Sequence, residues 1–361
     1  MQEETMNLEK IIRPEILSLQ NYFSNSLDCK KKNAYTYLDS NLNPYEPYSH
    51  STNVAGCNRY IDQQPKDLLS TLSQLYKICN DSILLTHGSD EGIDIIIKTF
   101  CKAYEDSIII CPPTFSMYKI FAQIQAANVI EVPLNAQQGY QLNVEKILAS
   151  ITPKTKLIFI PNPNAPMGHL ISSDDIIKIC NSCCDTTMVV VDEAYIEFSS
   201  TKSFVNLDSK PENLICLRTL SKAYSMAGLR LGSIIAHPEL INVFRKVLAP
   251  YPHTVPGVNI ALEALSSEGQ LRANKNIAEI IAQRNFLAGE LSKLVNVTKI
   301  FPSQANYLLC QFTNIENALN ACKRAKFIIR DMSSQIERCL RISIGTPTDN
   351  LKILNALKAS Y

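Results

Sequence analysis

The feature that most constrains this chain is an alternation. Between about residues 80 and 250, short β-branched runs take turns with longer amphipathic ones. Strands are expected at 83–86, 107–111, 129–132, 156–160, 187–191, 213–217 and 232–236. These runs are apolar on both faces, as strands covered by helices on each side must be. Helices are expected between them at 90–103, 115–127, 144–150, 173–184 and 239–248. Ser172, Ser173 and Asp174 offer side-chain oxygens to cap the fourth of these helices. The order predicts an α/β layer around a mostly parallel sheet.

After about residue 257 the pattern changes. Two helical stretches, 258–266 and 272–295, precede a strand at 306–311, a helix at 315–326, strands at 327–330 and 339–344, and a helix at 349–359. This is an α+β pattern and predicts a smaller second domain. Residues 1–45 do not fit the first alternation and could pack with the C-terminal part. The expected organisation is a large domain over 46–256 and a small one built from 1–45 and 257–361. A length of 361 residues suits about two domains.

Charge and cysteine usage narrow the function classes. The 35 basic and 34 acidic residues leave a net charge of +1, which gives no field for nucleic acid or an anionic membrane. No apolar run approaches the roughly 18 residues of a spanning helix. The start, Met1-Gln2-Glu3-Glu4-Thr5, has neither the basic nor the apolar region of a signal peptide. A cytoplasmic location is expected. Twelve cysteines lie mostly within apolar stretches and read as reduced thiols. Cys180-Asn181-Ser182-Cys183 has no second pair at zinc spacing and sits late in an expected helix, so a structural role is the better reading. The five histidines are scattered, and no built-in metal site is expected.

Four polar clusters follow expected strands, where open α/β sheets bind ligands. Thr86-His87-Gly88-Ser89-Asp90-Glu91 opens a helix, whose first amides suit an anion. Alone, such a turn is more often only a helix cap. Asp192, at the end of Val189-Val190-Val191, is costly to bury unless it meets a cation, such as a protonated ring nitrogen. Capping the next helix is the plainer alternative. Arg218 to Gly232 carries a lysine, Lys222, flanked by hydroxyls and followed by Arg230. That pattern suits a Schiff-base lysine with a phosphate clamp, although a loop lysine is more often an ordinary surface charge. Pro161-Asn162-Pro163-Asn164-Ala165-Pro166-Met167-Gly168 is a proline-stiffened loop.

In their order and spacing these clusters resemble the fold-type I pyridoxal-phosphate aminotransferases, and within them the histidinol-phosphate aminotransferases. The resemblance runs from about Leu8 to Leu357. Its most specific stretches are Gly88-Ser89-Asp90-Glu91-Gly92, Cys111-Pro112-Pro113-Thr114-Phe115-Ser116-Met117-Tyr118, Asp192-Glu193-Ala194-Tyr195-Ile196-Glu197-Phe198, and Arg218 to Gly232. Asn58-Arg59-Tyr60 and Cys339-Leu340-Arg341-Ile342 agree as well.

The resemblance implies pyridoxal 5'-phosphate as cofactor and a role for each matching residue. Lys222 would bind the cofactor aldehyde and later carry the proton. Asp192 would keep the pyridine nitrogen protonated, and Tyr195 would hydrogen-bond the phenolic oxygen. Phe115 would stack on the ring. Ser89, Asp90, Ser221 and Arg230 would hold the phosphate, joined by Tyr60 from a neighbouring subunit, which implies a homodimer. Arg330, Arg341 and Tyr22 would bind small-molecule substrates, glutamate through its carboxylate and imidazole acetol phosphate through its phosphate. For the two arginines a surface salt bridge is the alternative. The implied reaction exchanges an amino group between glutamate/2-oxoglutarate and imidazole acetol phosphate/histidinol phosphate, in histidine biosynthesis.

The chain departs from the family pattern in three places. Ala165 stands where an asparagine usually donates to the cofactor's phenolic oxygen, and Asn164 or a water is expected to replace it. The usual Tyr-Pro pair is Tyr60-Ile61, and the usual Asn-Glu-Asn-Pro is Asn41-Leu42-Asn43-Pro44. An aromatic or broad-range aminotransferase, or a threonine-phosphate decarboxylase, remains an alternative on the same scaffold. A non-enzymatic cofactor-binding regulator is a weaker one, since no basic helix-turn-helix extension precedes residue 8.

Overall fold

The structure is a computed structural model and describes residues 36–39, 41–45, 60–184, 186–207 and 210–359. In chain order it begins with β1 (Thr36–Leu38), α1 (Lys66–Tyr76), β2 (Ile83–His87), α2 (Gly88–Phe100), β3 (Ser107–Ile110), α3 (Met117–Ile124), β4 (Asn128–Glu131), α4 (Val144–Ala149) and β5 (Thr155–Pro161). It continues through α5 (Ser173–Ser182), β6 (Met188–Asp192), β7 (Leu214–Thr219), β8 (Leu231–Ile235), α6 (Pro238–Val247), α7 (Val255–Ala264) and α8 (Ser267–Leu291). It ends with β9 (Val297–Ile300), β10 (Tyr307–Phe312), α9 (Ile315–Arg324), β11 (Phe327–Asp331), β12 (Cys339–Ser343) and α10 (Pro347–Lys358).

Seven strands form one sheet in the order β2-β8-β7-β6-β5-β3-β4. From β7 to β4 every pairing is parallel, and β8 runs antiparallel to both β7 and β2. The two-faced apolar runs account for this. Ile108 and Ile109, adjacent in β3, are both completely buried, on opposite faces. One face packs with α1, α4, α5 and α7, the other with α2, α3 and α6. Burying a side chain of this size stabilises by roughly 1.5–3 kcal/mol. Parallel strands covered on both faces require crossover helices, so the sheet and its two helical layers form together.

The second sheet has five strands in the order β1-β11-β12-β10-β9. β1 pairs parallel to β11, and the other pairings are antiparallel. Its core, with Tyr307, Phe312 and Leu340, also takes in Tyr195 and Phe198 from the loop after β6. The small sheet therefore packs directly on a segment that leaves the large one.

Side-chain caps fix several helix starts. Ser172, of the three candidates, caps α5 by accepting from the Asp175 amide at 3.3 Å. The two helical stretches after residue 257 begin earlier than expected. Thr254 caps α7, which carries Pro256 in its first turn, and Ser266 caps α8. The helix expected from residue 90 begins at Gly88, whose φ of +76° only glycine takes without strain. The sequence reading missed α1, although Leu68, Leu69, Leu72 and Tyr76 form one buried stripe. It also missed β9, a half-exposed edge strand.

Candidate active site

Because β8 is reversed, the C-terminal ends of β2, β5, β6 and β7 and the N-terminal end of β8 share one edge of the large sheet. A cleft of about 280 Å³ opens there against the small sheet, near the low end of the roughly 300–1,000 Å³ of small-molecule sites. The large sheet lines it with Ser89, Asp90, Asp192, Tyr195, Ser221, Lys222 and Arg230, and the loop after β3 adds Phe115. Arg330 and Arg341 enter from β11 and β12. Ten residues singled out along more than 250 positions of sequence thus meet at one place.

The floor of the cleft is the N-terminus of α2. Gly232 of β8 sits in register with both Thr86 and Thr219. A Cβ on Gly232 would lie 2.5 Å from the Gly88 carbonyl carbon and 2.6 Å from the Ser89 nitrogen. A Cβ on Gly88 would lie 2.5 Å from Arg230 Nη2. Two glycines therefore let the helix start, β8 and the guanidinium close up. Arg230, itself at a φ of 55°, donates to Asp90 Oδ2 at 3.2 Å and to the Ala227 carbonyl at 3.2 Å. An anion arriving at the helix start would share Arg230 with Asp90. Ser221 is buried beside it and accepts from the Thr219 hydroxyl at 2.9 Å.

Asp192 ends β6 at the centre of that edge and is only 5% exposed. Its Oδ2 accepts from the Tyr118 hydroxyl at 2.8 Å and its Oδ1 from the Ala194 amide at 3.1 Å. Burial nonetheless pushes its carboxyl up to about 6, against the pull of these two bonds and of the Lys222 charge. Tyr118 is fully buried, stacked on Phe159 with centroids 4.8 Å apart and edge-on to Phe115 at 5.5 Å. Tyr118 closes the Cys111–Tyr118 motif, which by itself gives it no role.

Lys222 follows β7 and is half-buried, with Nζ 5.9 Å from the centroid of the Tyr195 ring. Asn43 Nδ2 donates to the carbonyls of Lys222 and Ala223, both at 3.2 Å, which pins the loop. The Tyr195 ring meets Tyr307 edge-on at 5.2 Å. Its hydroxyl accepts from Asn41 Nδ2 at 3.0 Å. Asn41 is a second residue to which sequence reasoning gave no role in the site.

Arg330 and Arg341 are direct cross-strand partners on β11 and β12. Like charges so placed repel, and an anion between them removes the repulsion. Arg341 Nη2 donates to the Asp39 carbonyl at 3.0 Å, and its guanidinium lies 5.3 Å from the Tyr307 ring centroid. Its buried Nε has no hydrogen-bond partner among the described residues, nor does Thr114 Oγ1, which also borders the cleft.

Two expected site residues stand elsewhere. Asn164 is buried beside the cleft without lining it, and its Oδ1 accepts from the Met167 amide at 3.2 Å. Ala165 and Pro166 form the wall there. Tyr60 is 82% exposed and stacks on Tyr251 at 4.2 Å, away from this chain's own cleft. Tyr22 lies outside the described residues.

Arg218 does not enter the cleft. It is buried behind it, paired with Glu197 at 2.8 Å and Glu193 at 3.4 Å, with its guanidinium 4.6 Å from the Tyr76 ring centroid. The carboxylates beside it raise its pKa against the effect of its own burial. Cys180 and Cys183 are buried free thiols, pushed by burial to about 12 and about 11. Among the described residues no helix is long and apolar enough to cross a membrane, and no cluster of three or more potential ligands could hold a metal ion.

A family model described as aminotransferase class I and II matches residues 33–357. A histidinol-phosphate aminotransferase of Buchnera aphidicola subsp. Schlechtendalia chinensis is 36% identical over 356 residues, covering 98% of each chain. One from Vibrio vulnificus strain CMCP6 is 38% identical over 325 residues, covering 90% of this chain and 92% of its own. Among solved structures, the histidinol-phosphate aminotransferase of Sinorhizobium meliloti in complex with pyridoxal-5'-phosphate superposes with a TM-score of 0.82 at 20% identity, covering 97% of both chains. Aspartate aminotransferase from Thermus thermophilus with maleate gives 0.83 at 17%, covering 97% of this chain and 99% of its own. At such identities these two structures speak for the fold.

Proposed function

Because the chain belongs to the class I and II aminotransferases, we propose that it uses pyridoxal 5'-phosphate to exchange an amino group between glutamate/2-oxoglutarate and imidazole acetol phosphate/histidinol phosphate. The observation that carries this reading is one cleft holding a lysine, a buried carboxyl pushed up to about 6, the start of a helix and two facing arginines. The chain's relatives named histidinol-phosphate aminotransferase support the choice of substrate.

The cleft fits the cofactor chemically. The desolvated Asp192 carboxyl needs a cation at its open side, and a pyridinium nitrogen is one. The close approach at Gly88 and Gly232 sets the start of α2 against β8 and Arg230, where its first amides can meet a phosphate. When bound, pyridoxal phosphate supplies an aldehyde that takes up the amino group and a ring that draws electrons from the substrate carbon.

The chain's own residues do the rest. Ser89 and Asp90 amides, the Ser221 hydroxyl and Arg230 hold the phosphate, with Asp90 giving up part of its ion pair. Asp192 holds the proton on the ring nitrogen. Tyr118 and the Ala194 amide fix the orientation of that carboxylate. Phe115 packs on the ring face. Tyr195 donates to the phenolic oxygen, a position to which Ala165 brings no side-chain donor. Lys222 Nζ would hold and move the proton at the substrate α-carbon. Arg341 would take the carboxylate of glutamate, and Arg330, Arg341 and Tyr22 would hold the phosphate of the other substrate.

The exposed Tyr60 is assigned to the phosphate of a second copy of the chain, which makes the active unit a homodimer. The large domain is assigned to 46–256 and the small one to 1–45 with 257–361. The ten free cysteines among the described residues fit a reducing compartment, and the enzyme is placed in the cytoplasm.

A substrate panel tests the reading. Purified protein loaded with pyridoxal phosphate receives histidinol phosphate, phenylalanine, tyrosine or threonine phosphate as amino donor, with 2-oxoglutarate as acceptor. The highest kcat/KM is expected for histidinol phosphate. A preference for phenylalanine or tyrosine would move the chain to the aromatic group, and carbon dioxide from threonine phosphate would replace transamination by decarboxylation.

A further inference from the structure

Asn41 is 1% exposed and sits at a φ of 51°, a conformation asparagine tolerates better than most residues. Its four polar contacts form a directed chain. The Asn41 amide donates to Ser343 Oγ at 2.7 Å, and the Ser343 hydroxyl donates its own hydrogen to Asn41 Oδ1 at 3.1 Å. Asn306 Nδ2 donates to the Asn41 carbonyl at 2.8 Å. With Oδ1 committed to Ser343, Nδ2 is the end that faces Tyr195, and it donates to the phenolic oxygen at 3.0 Å. Two residues away along the same strand, Arg341 holds the Asp39 carbonyl, so β12 straps the 39–41 segment at two points.

A phenol has one hydrogen. With a donor already on its oxygen, Tyr195 cannot spend that hydrogen on Asn41, which leaves it for an acceptor in the cleft that Tyr195 lines. The donated bond also makes the phenol a stronger donor.

We propose that Asn41 is a positioning residue for the reaction. Held by Ser343, its amide aims the Tyr195 hydrogen at the group bound in the cleft and so sets that group's proton affinity. The proposal rests on the reading that pyridoxal phosphate occupies the cleft with its phenolic oxygen toward Tyr195. It gives the small sheet a hand in tuning chemistry that occurs on the large one.

The test is the pH titration of the visible absorbance of the full chain loaded with pyridoxal phosphate. Tyr195→Phe marks the complete loss of the phenolic donor. Asn41→Asp keeps the size and the Ser343 contact. Once ionised, however, it can only accept from Tyr195 and draws the hydrogen away from the cleft. Its midpoint is expected to rise by roughly one to two pH units, toward that of Tyr195→Phe. Asn41→Gly removes the amide without straining the backbone and is expected to shift by about half to one unit in the same direction. Ser343→Ala frees the amide to turn and shifts that way too. It carries the test if Asn41→Asp does not fold. A merely structural role would lower stability in all three and leave the midpoint in place. Midpoints that coincide with wild type while Tyr195→Phe shifts would overturn the proposal. A colourless wild type would overturn the cofactor reading beneath it, a result distinguishable from the first.

Discussion

Asp192 allows the site's electrostatics to be weighed without any turnover. Burial raises its carboxyl from 3.8 to about 6 in the folded chain. A carboxyl that binds its proton more tightly when folded leaves the folded state with more protons than the unfolded one between these two values. Stability therefore falls as pH rises from about 4 to about 6, and the loss persists above that range. At 1.36 kcal/mol per unit, the cost near neutrality is on the order of 3 kcal/mol. Asp192→Asn removes the ionisation and keeps the shape. The new amide can accept from the Ala194 N–H and donate to Tyr118 Oη, but the buried Tyr118 hydrogen then loses its acceptor, at a cost of about 1–2 kcal/mol. The cofactor-free variant should thus be about 1–2 kcal/mol more stable than wild type near pH 8, and less stable than wild type near pH 4. Urea unfolding at the two pH values measures this. Pyridoxal phosphate should reverse the order near pH 8, because only the carboxylate gains from a pyridinium. A stability difference that does not change with pH, or a cofactor-free variant that is weaker at both values, would mean that the buried Asp192 charge is not destabilising.

Three further outcomes follow from the same geometry. Gly232→Ala pushes a methyl into the Gly88 and Ser89 backbone and should cost about 1–3 kcal/mol of stability. Equilibrium titration should also show its pyridoxal-phosphate affinity falling at least tenfold. Arg218→Met leaves Glu193 and Glu197 buried without their cation, and denaturant unfolding should show a loss of about 3–5 kcal/mol. Arg330→Ala should raise the KM for the phosphorylated substrate by roughly 10–100-fold and that for glutamate much less, whereas Arg341→Ala should raise both. Steady-state kinetics with each substrate varied in turn separates the two arginines.

The large sheet was legible in the sequence because its central strands are buried on both faces and give short apolar runs, such as Ile108-Ile109-Ile110, between amphipathic segments. The reversal of β8 was not legible, since an apolar run has no direction. That reversal is what delivers Arg230 to the same edge as Asp192 and Lys222. β9 escaped because Thr298 and Lys299 face solvent, and half-exposed edge strands carry little periodic signal. The helix α1 did carry a signal, in the spacing of Leu68, Leu69, Leu72 and Tyr76. The cleft residues on strand ends could be named from motifs, but their partners could not. Tyr118 reaches Asp192 across 74 residues and Asn41 reaches Tyr195 across 154. Contacts of that range are set by strand order and register. The same holds for the facing of Arg330 and Arg341, which depends on a pairing no local pattern encodes.

The proposed chemistry depends on Lys222 being the amine that takes the cofactor. Borohydride reduction of the pyridoxal-phosphate-loaded protein, followed by peptide mass mapping, tests it most directly. Stoichiometric label is expected on the peptide containing Lys222, and none in Lys222→Ala. Label on another lysine, or equal labelling of the variant, would contradict it.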